Sequence, residues 1–209
     1  GSHSLRRLIR ALQSLPNRPI TSIVSSQKLD LDFPFSQFND LKQSLDQVKP
    51  NTLFILANPP DCHFPCASMI LDAGFDVMVE KPGFLTSQQV NELMLVALSK
   101  NLLLIEMFMY LENDLTRFIL NFININRQIV KSITSSFTIP SLPSNTFRCN
   151  NNFESSLLLD IGCYPLSLFA HAGVSMDNLR YTDISDPSLN SILFLLHDTL
   201  SDISLLSLV

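Results

Sequence analysis

Asn58, His63, Glu80, Lys81 and Glu106 are the residues whose types and places could do chemistry, because each follows a short apolar run. Asn58 closes the run 54–57, Glu80 and Lys81 close 77–79, and Glu106 closes 102–105. A carboxamide, an imidazole, an ammonium and two carboxylates at strand ends could bind a polar ligand and move protons. Cys62, His63 and Cys66 have a spacing that invites a zinc site. However, Cys62 and Cys66 stand four residues apart on or beside a helix, and Cys149 and Cys163 are far away. Buried thiols in a reducing compartment are the better reading, with no metal.

The elements that must position these groups run from Asn51 to Phe108. Phe54 to Ala57, Val77 to Val79 and Leu102 to Ile105 are short and wholly apolar. Between them, Met69, Ile70 and Ala73, then Val90, Leu93, Met94 and Ala97, recur at helical spacing, with Gly74 as a stop. Apolar strands alternating with helices predict a parallel sheet covered on both faces, with ligand beyond the carboxyl ends of the strands. Asn58, His63, Glu80 and Lys81 should therefore converge at one edge of that sheet.

Before this stretch, Leu5, Leu8, Ile9, Leu12 and Leu15 predict a helix, 20–26 a strand, 28–39 a loop, and Leu41, Leu45 and Val48 a short helix. A helix feeding a strand is the second half of a βαβ unit. The first strand and the glycine-rich turn that should open the fold are absent from this sequence, and no G-x-G-x-x-G occurs in it, so either the sequence begins inside the fold or the phosphate site has been lost. After it, 111–125 reads as a helix with Leu115, Ile119 and Phe122 on one side, and 129–139 as a strand. A second apolar helix around 157–168 ends near Gly173, and 179–184, 191–196 and 203–209 read as strands. The fold class is α/β: a Rossmann-like parallel-sheet domain over 4–125, then an α+β domain with an open mixed sheet over 126–209.

The 209 residues carry a net charge of −5 and no basic stripe, which gives no support to nucleic-acid binding. No apolar run is long enough to span a bilayer, so a cytoplasmic protein is expected. The strands at 192–196 and 205–208 are more apolar than one packed face requires, which predicts a homo-dimer or higher homo-oligomer through the second-domain sheet.

The stretch ANPPDCHFPCASMILDAGFDVMVEKP, then LLLIEMFMY, FTIPSLPSNTFR and LLLDIGCYPLSLF, resembles the Gfo/Idh/MocA family of sugar and diol oxidoreductases over almost the whole chain. The resemblance implies an NAD- or NADP-binding first domain and a substrate-binding second domain. It implies that Lys81, of the Glu-Lys-Pro triplet, lies near the nicotinamide and substrate hydroxyl. Tyr164, four residues after the motif Asp160, would be the acid-base residue, with Asp160 orienting the site. Asn58, His63, Glu80 and Glu106 would line the cofactor with Lys81. The sequence departs from the family at Leu111, where many members carry Arg, and before Leu157, where their Gly pair is absent.

Lysine at about 10.4 and tyrosine at about 10 are both poor bases at neutral pH, so a proton relay between the two residue types is plausible only when each tunes the other. Ser25, Ser26 and Gln27 stand where an acidic residue would accept the ribose hydroxyls of NAD, and Lys28 is near, which leans to NADP. The function implied is NAD(P)-dependent oxidation or reduction of a sugar, sugar derivative or diol. A non-catalytic regulatory or scaffolding protein keeping the same fold is the alternative.

Overall fold

The computed structural model describes residues 2–16, 22–130, 133–136, 158–174, 179–183, 193–198 and 204–208. The expectations for Cys149 and for the 140–153 stretch lie outside these residues. Two compact units form, Gly1–Met107 and Phe108–Val209. The division falls directly after the strand that ends in Met107, so the helix over 114–125 is counted in the second unit.

In the first unit the order is α1 (Ser2–Gln13), β1 (Ser22–Val24), β2 (Ser36–Phe38), α2 (Leu41–Gln47), β3 (Leu53–Leu56), α3 (His63–Asp72), β4 (Asp76–Glu80), α4 (Ser87–Lys100) and β5 (Leu104–Met107). The caps explain the boundaries. Asp40 accepts from the Gln43 amide at the start of α2, and Thr86 from the Gln89 amide at the start of α4. Gln89 in turn accepts from the Leu85 amide, a reciprocal arrangement that satisfies two orphan donors. α3 stops at Gly74, whose φ of 86° costs no Cβ strain, and the Phe75 amide then reaches back to the Ile70 carbonyl.

β3, β4 and β5 pair in parallel in that order, with Leu56 opposite Val79 and Val79 opposite Glu106. β1 and β2 form a separate parallel pair, Ser22 opposite Ser36. β2 corrects the loop expected over 28–39. The parallel sheet expected as one therefore consists of two pieces. The core is Phe54, Leu56, Val77 and Val79 from one sheet face, against Ala67, Ile70 and Leu71 of α3 and Leu93 and Ala97 of α4. Val77 and Val79 are fully buried, and burial of such side chains contributes about 1.5–3 kcal/mol each. The other face, Ile55, Met78 and Ile105, is only partly covered, with Ile105 38% exposed. Among the described residues, the sheet expected to be covered on both faces is closely covered on one.

The second unit opens with a 3₁₀ turn, Met109–Glu112, followed by α5 (Asp114–Ile125), β6 (Ile133–Ser136), a π-helical turn Leu158–Gly162 and α6 (Cys163–His171). β7 (Leu179–Asp183), β8 (Leu193–Asp198) and β9 (Ser204–Leu208) complete it. The sheet order is β6-β9-β8-β7, with β6 parallel to β9 and the other pairs antiparallel, which is the mixed sheet the sequence led one to expect. α5 begins at Asp114 rather than at Leu111 because Asn113 caps it, accepting from the Leu115 amide. Ile123 is the buried residue of α5, while Leu115, Ile119 and Phe122, which share a side, face outward. α6 ends at Gly173, φ 76°, and Arg127 ties that end to the end of α5 through the Ala172 and Gly173 carbonyls.

Candidate active site

Parallel pairing is what brings residues far apart in sequence to one sheet edge. The carboxyl ends of β3, β4 and β5 lie side by side, so Asn58, the Lys81–Gly83 turn and Glu106 become neighbours. His63, the first residue of α3, is the centre of the arrangement and is 1% exposed. Its Nε2 lies 2.9 Å from the Asn58 carbonyl oxygen. Its Nδ1 lies 2.9 Å from the Gly83 carbonyl and 3.1 Å from that of Pro82. Carbonyls can only accept, so a ring nitrogen that bonds one does so by donating, and the tautomer decides which of these contacts is the bond. His63 thus pins the chain after β3 to the turn after β4.

Glu106 holds that turn from the other side, its Oε1 accepting from the Gly83 amide at 2.7 Å. A Cβ at Gly83 would stand 3.2–3.3 Å from the Glu106 carboxylate and its Cγ, so glycine is what allows this approach. Lys81 and Glu80, both half-buried, lead into the turn, with a cis peptide between Lys81 and Pro82. Asn58 donates from Nδ2 to the Cys66 sulfur at 3.4 Å, while its Oδ1 is buried and has no partner among the described residues. The convergence of Asn58, His63 and the Glu80–Lys81 strand end is therefore present in the first unit.

Among the described residues Cys62, Cys66 and Cys163 form no disulfide. Desolvation, with the neighbouring Asp61 adding to it, pushes the Cys62 thiol up from its ordinary value and away from the thiolate a metal would require. Among the described residues no group of three His, Cys, Asp or Glu side chains converges on a metal site, and no helix is long and apolar enough to cross a membrane.

In the second unit, Tyr164 sits in the first turn of α6, just after the π-helical turn that contains Asp160. Tyr164 packs edge-on against Phe108 and Tyr110, with ring centroids 6.3 and 5.6 Å away. The Tyr110 hydroxyl bonds Ser167 Oγ at 2.6 Å, and Ser167 in turn donates to the Tyr164 carbonyl at 2.9 Å. Burial pushes the Tyr110 phenol up, against the opposing effect of the Ser167 bond. Met109, Tyr110, Asn113, Leu115, Thr116 and Tyr164 line an open cleft of about 460 Å³, within the range of small-molecule sites. Tyr110 and Asn113 were not singled out from the sequence. The signal available was their place shortly after the strand that ends in Met107.

Residues 6–108 match the model of an oxidoreductase family with the NAD-binding Rossmann fold, GFO_IDH_MocA. Over 179 residues the chain is 33% identical to the dTDP-3,4-didehydro-2,6-dideoxy-alpha-D-glucose 3-reductase of Saccharopolyspora spinosa, covering 82% of this chain and 53% of the relative. The corresponding enzyme of Actinomadura kijaniata is 28% identical, with 77% of this chain and 50% of the relative covered. The chain thus spans about half the length of the curated relatives it matches. In fold it is similar to the aldose-aldose oxidoreductase of Caulobacter crescentus, with a TM-score of 0.82 at 14% identity, over 100% of this chain and 68% of that one. A 3-ketoreductase of Actinomadura kijaniata, solved with NADP and TDP-benzene, gives a TM-score of 0.78 at 23% identity, over 100% of this chain and 66% of that one. The family model over the first unit and the reductase relatives over most of the chain agree with the motifs in their order, and the chain belongs to the Gfo/Idh/MocA oxidoreductase family.

Proposed function

We propose that this chain acts in an NAD(P)-dependent oxidoreductase that interconverts a carbonyl and a hydroxyl on a sugar or sugar derivative, with NADP as the preferred dinucleotide. The observation that carries the reading is the Lys81-Pro82-Gly83 turn, held by His63 and Glu106 at the carboxyl ends of a parallel sheet. The buried, unpartnered Asn58 Oδ1 beside that turn fits a dinucleotide, which carries amide and hydroxyl donors. The cofactor, when bound, supplies or accepts the hydride. Asn58, Lys81 and the turn orient the ligand, and Glu106 and His63 act on it through the turn, with Glu80 at the strand end.

In the reducing direction a proton must reach the former carbonyl oxygen, and Tyr164 Oη and Lys81 Nζ are the groups assigned to deliver and hold it. Asp160 orients them. Support for this pair comes from the Actinomadura kijaniata ketoreductase, solved with one lysine and with one tyrosine replaced, which stand 84 residues apart. Lys81 and Tyr164 are 83 apart. The reductase relatives act on dTDP-linked keto sugars, which makes a nucleotide-linked keto sugar the first substrate to try.

The test is NADPH and NADH titration by fluorescence, followed by NADPH consumption with such a sugar. Lys81→Met should leave NADPH affinity within about threefold while turnover falls roughly 10²–10⁴-fold, the usual scale for a positioned acid-base group. Absence of saturable binding of either dinucleotide by calorimetry would sink the proposal.

A further inference from the structure

Tyr110 and Tyr164 line the same open cleft, and the structure commits the hydroxyl of the first. Tyr110 Oη lies 2.6 Å from Ser167 Oγ and 3.4 Å from the Tyr164 carbonyl oxygen, and Ser167 Oγ lies 2.9 Å from that same carbonyl. The carbonyl can only accept, and each hydroxyl has one proton to give. The two short contacts are satisfied together when Ser167 donates to the carbonyl and Tyr110 donates to Ser167. In the other order, Ser167 to Tyr110 to the carbonyl, the phenol proton goes to α6 just the same. Tyr110 therefore uses its proton to tie down the first turn of α6. That turn lacks a cap of its own: Gly162 offers no side chain to its N-terminus, and the residues leading up to it form a π-helical turn.

We propose that Tyr110 is a positioning residue for Tyr164. Its hydroxyl fixes it to α6 through Ser167, and its ring, with that of Phe108, holds the Tyr164 phenol in one rotamer at the wall of the cleft. The rings form a closed group: Tyr110 and Tyr164 stand 5.6 Å apart at 61°, Phe108 and Tyr164 6.3 Å apart at 78°, and Phe108 and Tyr110 6.0 Å apart at 85°. Edge-on contacts of this kind are directional, so each ring restricts the tilt of the other two. Tyr164 is only half-buried, and without such neighbours a side chain there would sample more than one staggered well. The proposal rests on the assignment of Tyr164 as the group that delivers the proton. Such a group must stand within hydrogen-bond reach of the oxygen it serves, so a phenol that swings between rotamers spends much of its time out of range.

The test is the single-turnover rate of NADPH oxidation with a dTDP-linked keto sugar, read beside KM. The χ1 of Tyr164 is measured in parallel from NMR couplings, in a chain with 3 tyrosines to assign. Tyr110→Phe keeps the ring and drops the hydroxyl, and should lower the rate about tenfold with KM within about threefold. Tyr110→Leu drops both and should lower the rate about 100-fold. Ser167→Ala should match Tyr110→Phe, and the double variant should be no slower than either, because both cut one chain of bonds. Ser167→Thr returns a hydroxyl able to bond a carbonyl one turn back, and should recover most of the loss. The couplings should report one Tyr164 rotamer in the wild type and an average of rotamers in Tyr110→Leu, with those of Phe169, buried on the same helix, unchanged. Where the leucine variant does not fold, Tyr110→Phe and Ser167→Ala carry the same comparison. Rates within about twofold of wild type in these variants, or a Tyr164 rotamer that stays single in them, overturn the proposal. So does a KM rise at unchanged rate, which would make Tyr110 a binding residue, or a loss in Tyr110→Phe as large as in Tyr164→Phe, which would make it an acid in its own right. Wild-type protein that oxidises no NADPH refutes the function proposed above instead, and the couplings then decide alone whether Tyr110 holds Tyr164.

Discussion

Replacing His63 by alanine tests whether one buried ring fixes the turn that carries Lys81. The ring is 1% exposed and bridges the Asn58 carbonyl, at 2.9 Å, and the Pro82 and Gly83 carbonyls, at 3.1 and 2.9 Å. Truncation removes both bridges and leaves acceptors without a donor in a closed space. A buried group left unsatisfied costs about 1–3 kcal/mol, and the vacated volume adds to that because its surroundings relax only in part. A total of about 3–5 kcal/mol follows, which is a large share of the roughly 5–15 kcal/mol that stabilises an ordinary domain. His63→Gln keeps one donor and much of the volume, so it should lose about half as much. Urea unfolding followed by far-UV circular dichroism measures both values. Exchange of the Gly83 and Phe84 amides should accelerate in the alanine variant before global unfolding, because the turn loses its anchor while the β3–β5 ladder persists. Alanine and glutamine variants of equal stability, or an alanine variant within about 1 kcal/mol of wild type, would refute the reasoning, since neither result fits a ring held by two separate bridges.

Three further outcomes are expected. Gly83→Ala should cost about 1–2 kcal/mol by forcing the Glu106 carboxylate away from the backbone amide it now accepts from. In a double-mutant cycle with Glu106→Ala the two changes should couple by at least about 0.5 kcal/mol, measured by urea unfolding. Tyr110 is held neutral chiefly by burial, so its contribution is complete below the ordinary tyrosine value of about 10 and is lost as pH rises through its raised folded value. Stability measured between pH 9 and 12 should therefore fall more steeply for wild type than for Tyr110→Phe, with the phenolate absorbance of one tyrosine appearing late. Thr86→Ala, which deprives α4 of its cap, should destabilise the first unit by about 1 kcal/mol in the same urea assay.

The parts of the fold that could be read from the sequence are those where local pattern and tertiary burial agree. β3, β4 and β5 are short apolar runs closed by polar residues, and α3 and α4 show their buried faces at helical spacing. The convergence of Asn58, His63 and the Glu80–Lys81 strand end followed from that parallel arrangement alone. β2 was not legible, because Ser36-Gln37-Phe38 has no strand pattern of its own and becomes a strand by pairing with β1, fourteen residues earlier. The side of α5 bearing Leu115, Ile119 and Phe122 faces outward because periodicity reports that a helix has an apolar face and not what covers it. The role of Glu106 was legible only as a polar group at a strand end. Its bond goes to the Gly83 backbone, and a backbone amide leaves no mark in the sequence. Tyr110 gave no sign of its side-chain link to Ser167 because only the fold brings together residues 57 apart in sequence.

The bonds that His63 makes are blind to the identity of the residues they reach. All three partners are main-chain carbonyls, which every amino acid offers. Over evolutionary drift the imidazole therefore has few substitutes, while position 58 is free of it as far as the side chain goes and can be tuned for whatever ligand it meets. The restraint on position 83 has a different origin, the closeness of Glu106, so 83 and 106 should change together or not at all. One edge of the sheet thus separates what must persist from what can diversify. The anchor that shapes the turn is insulated from the side chains that select a substrate, and new specificities can arise there without the scaffold having to be reinvented.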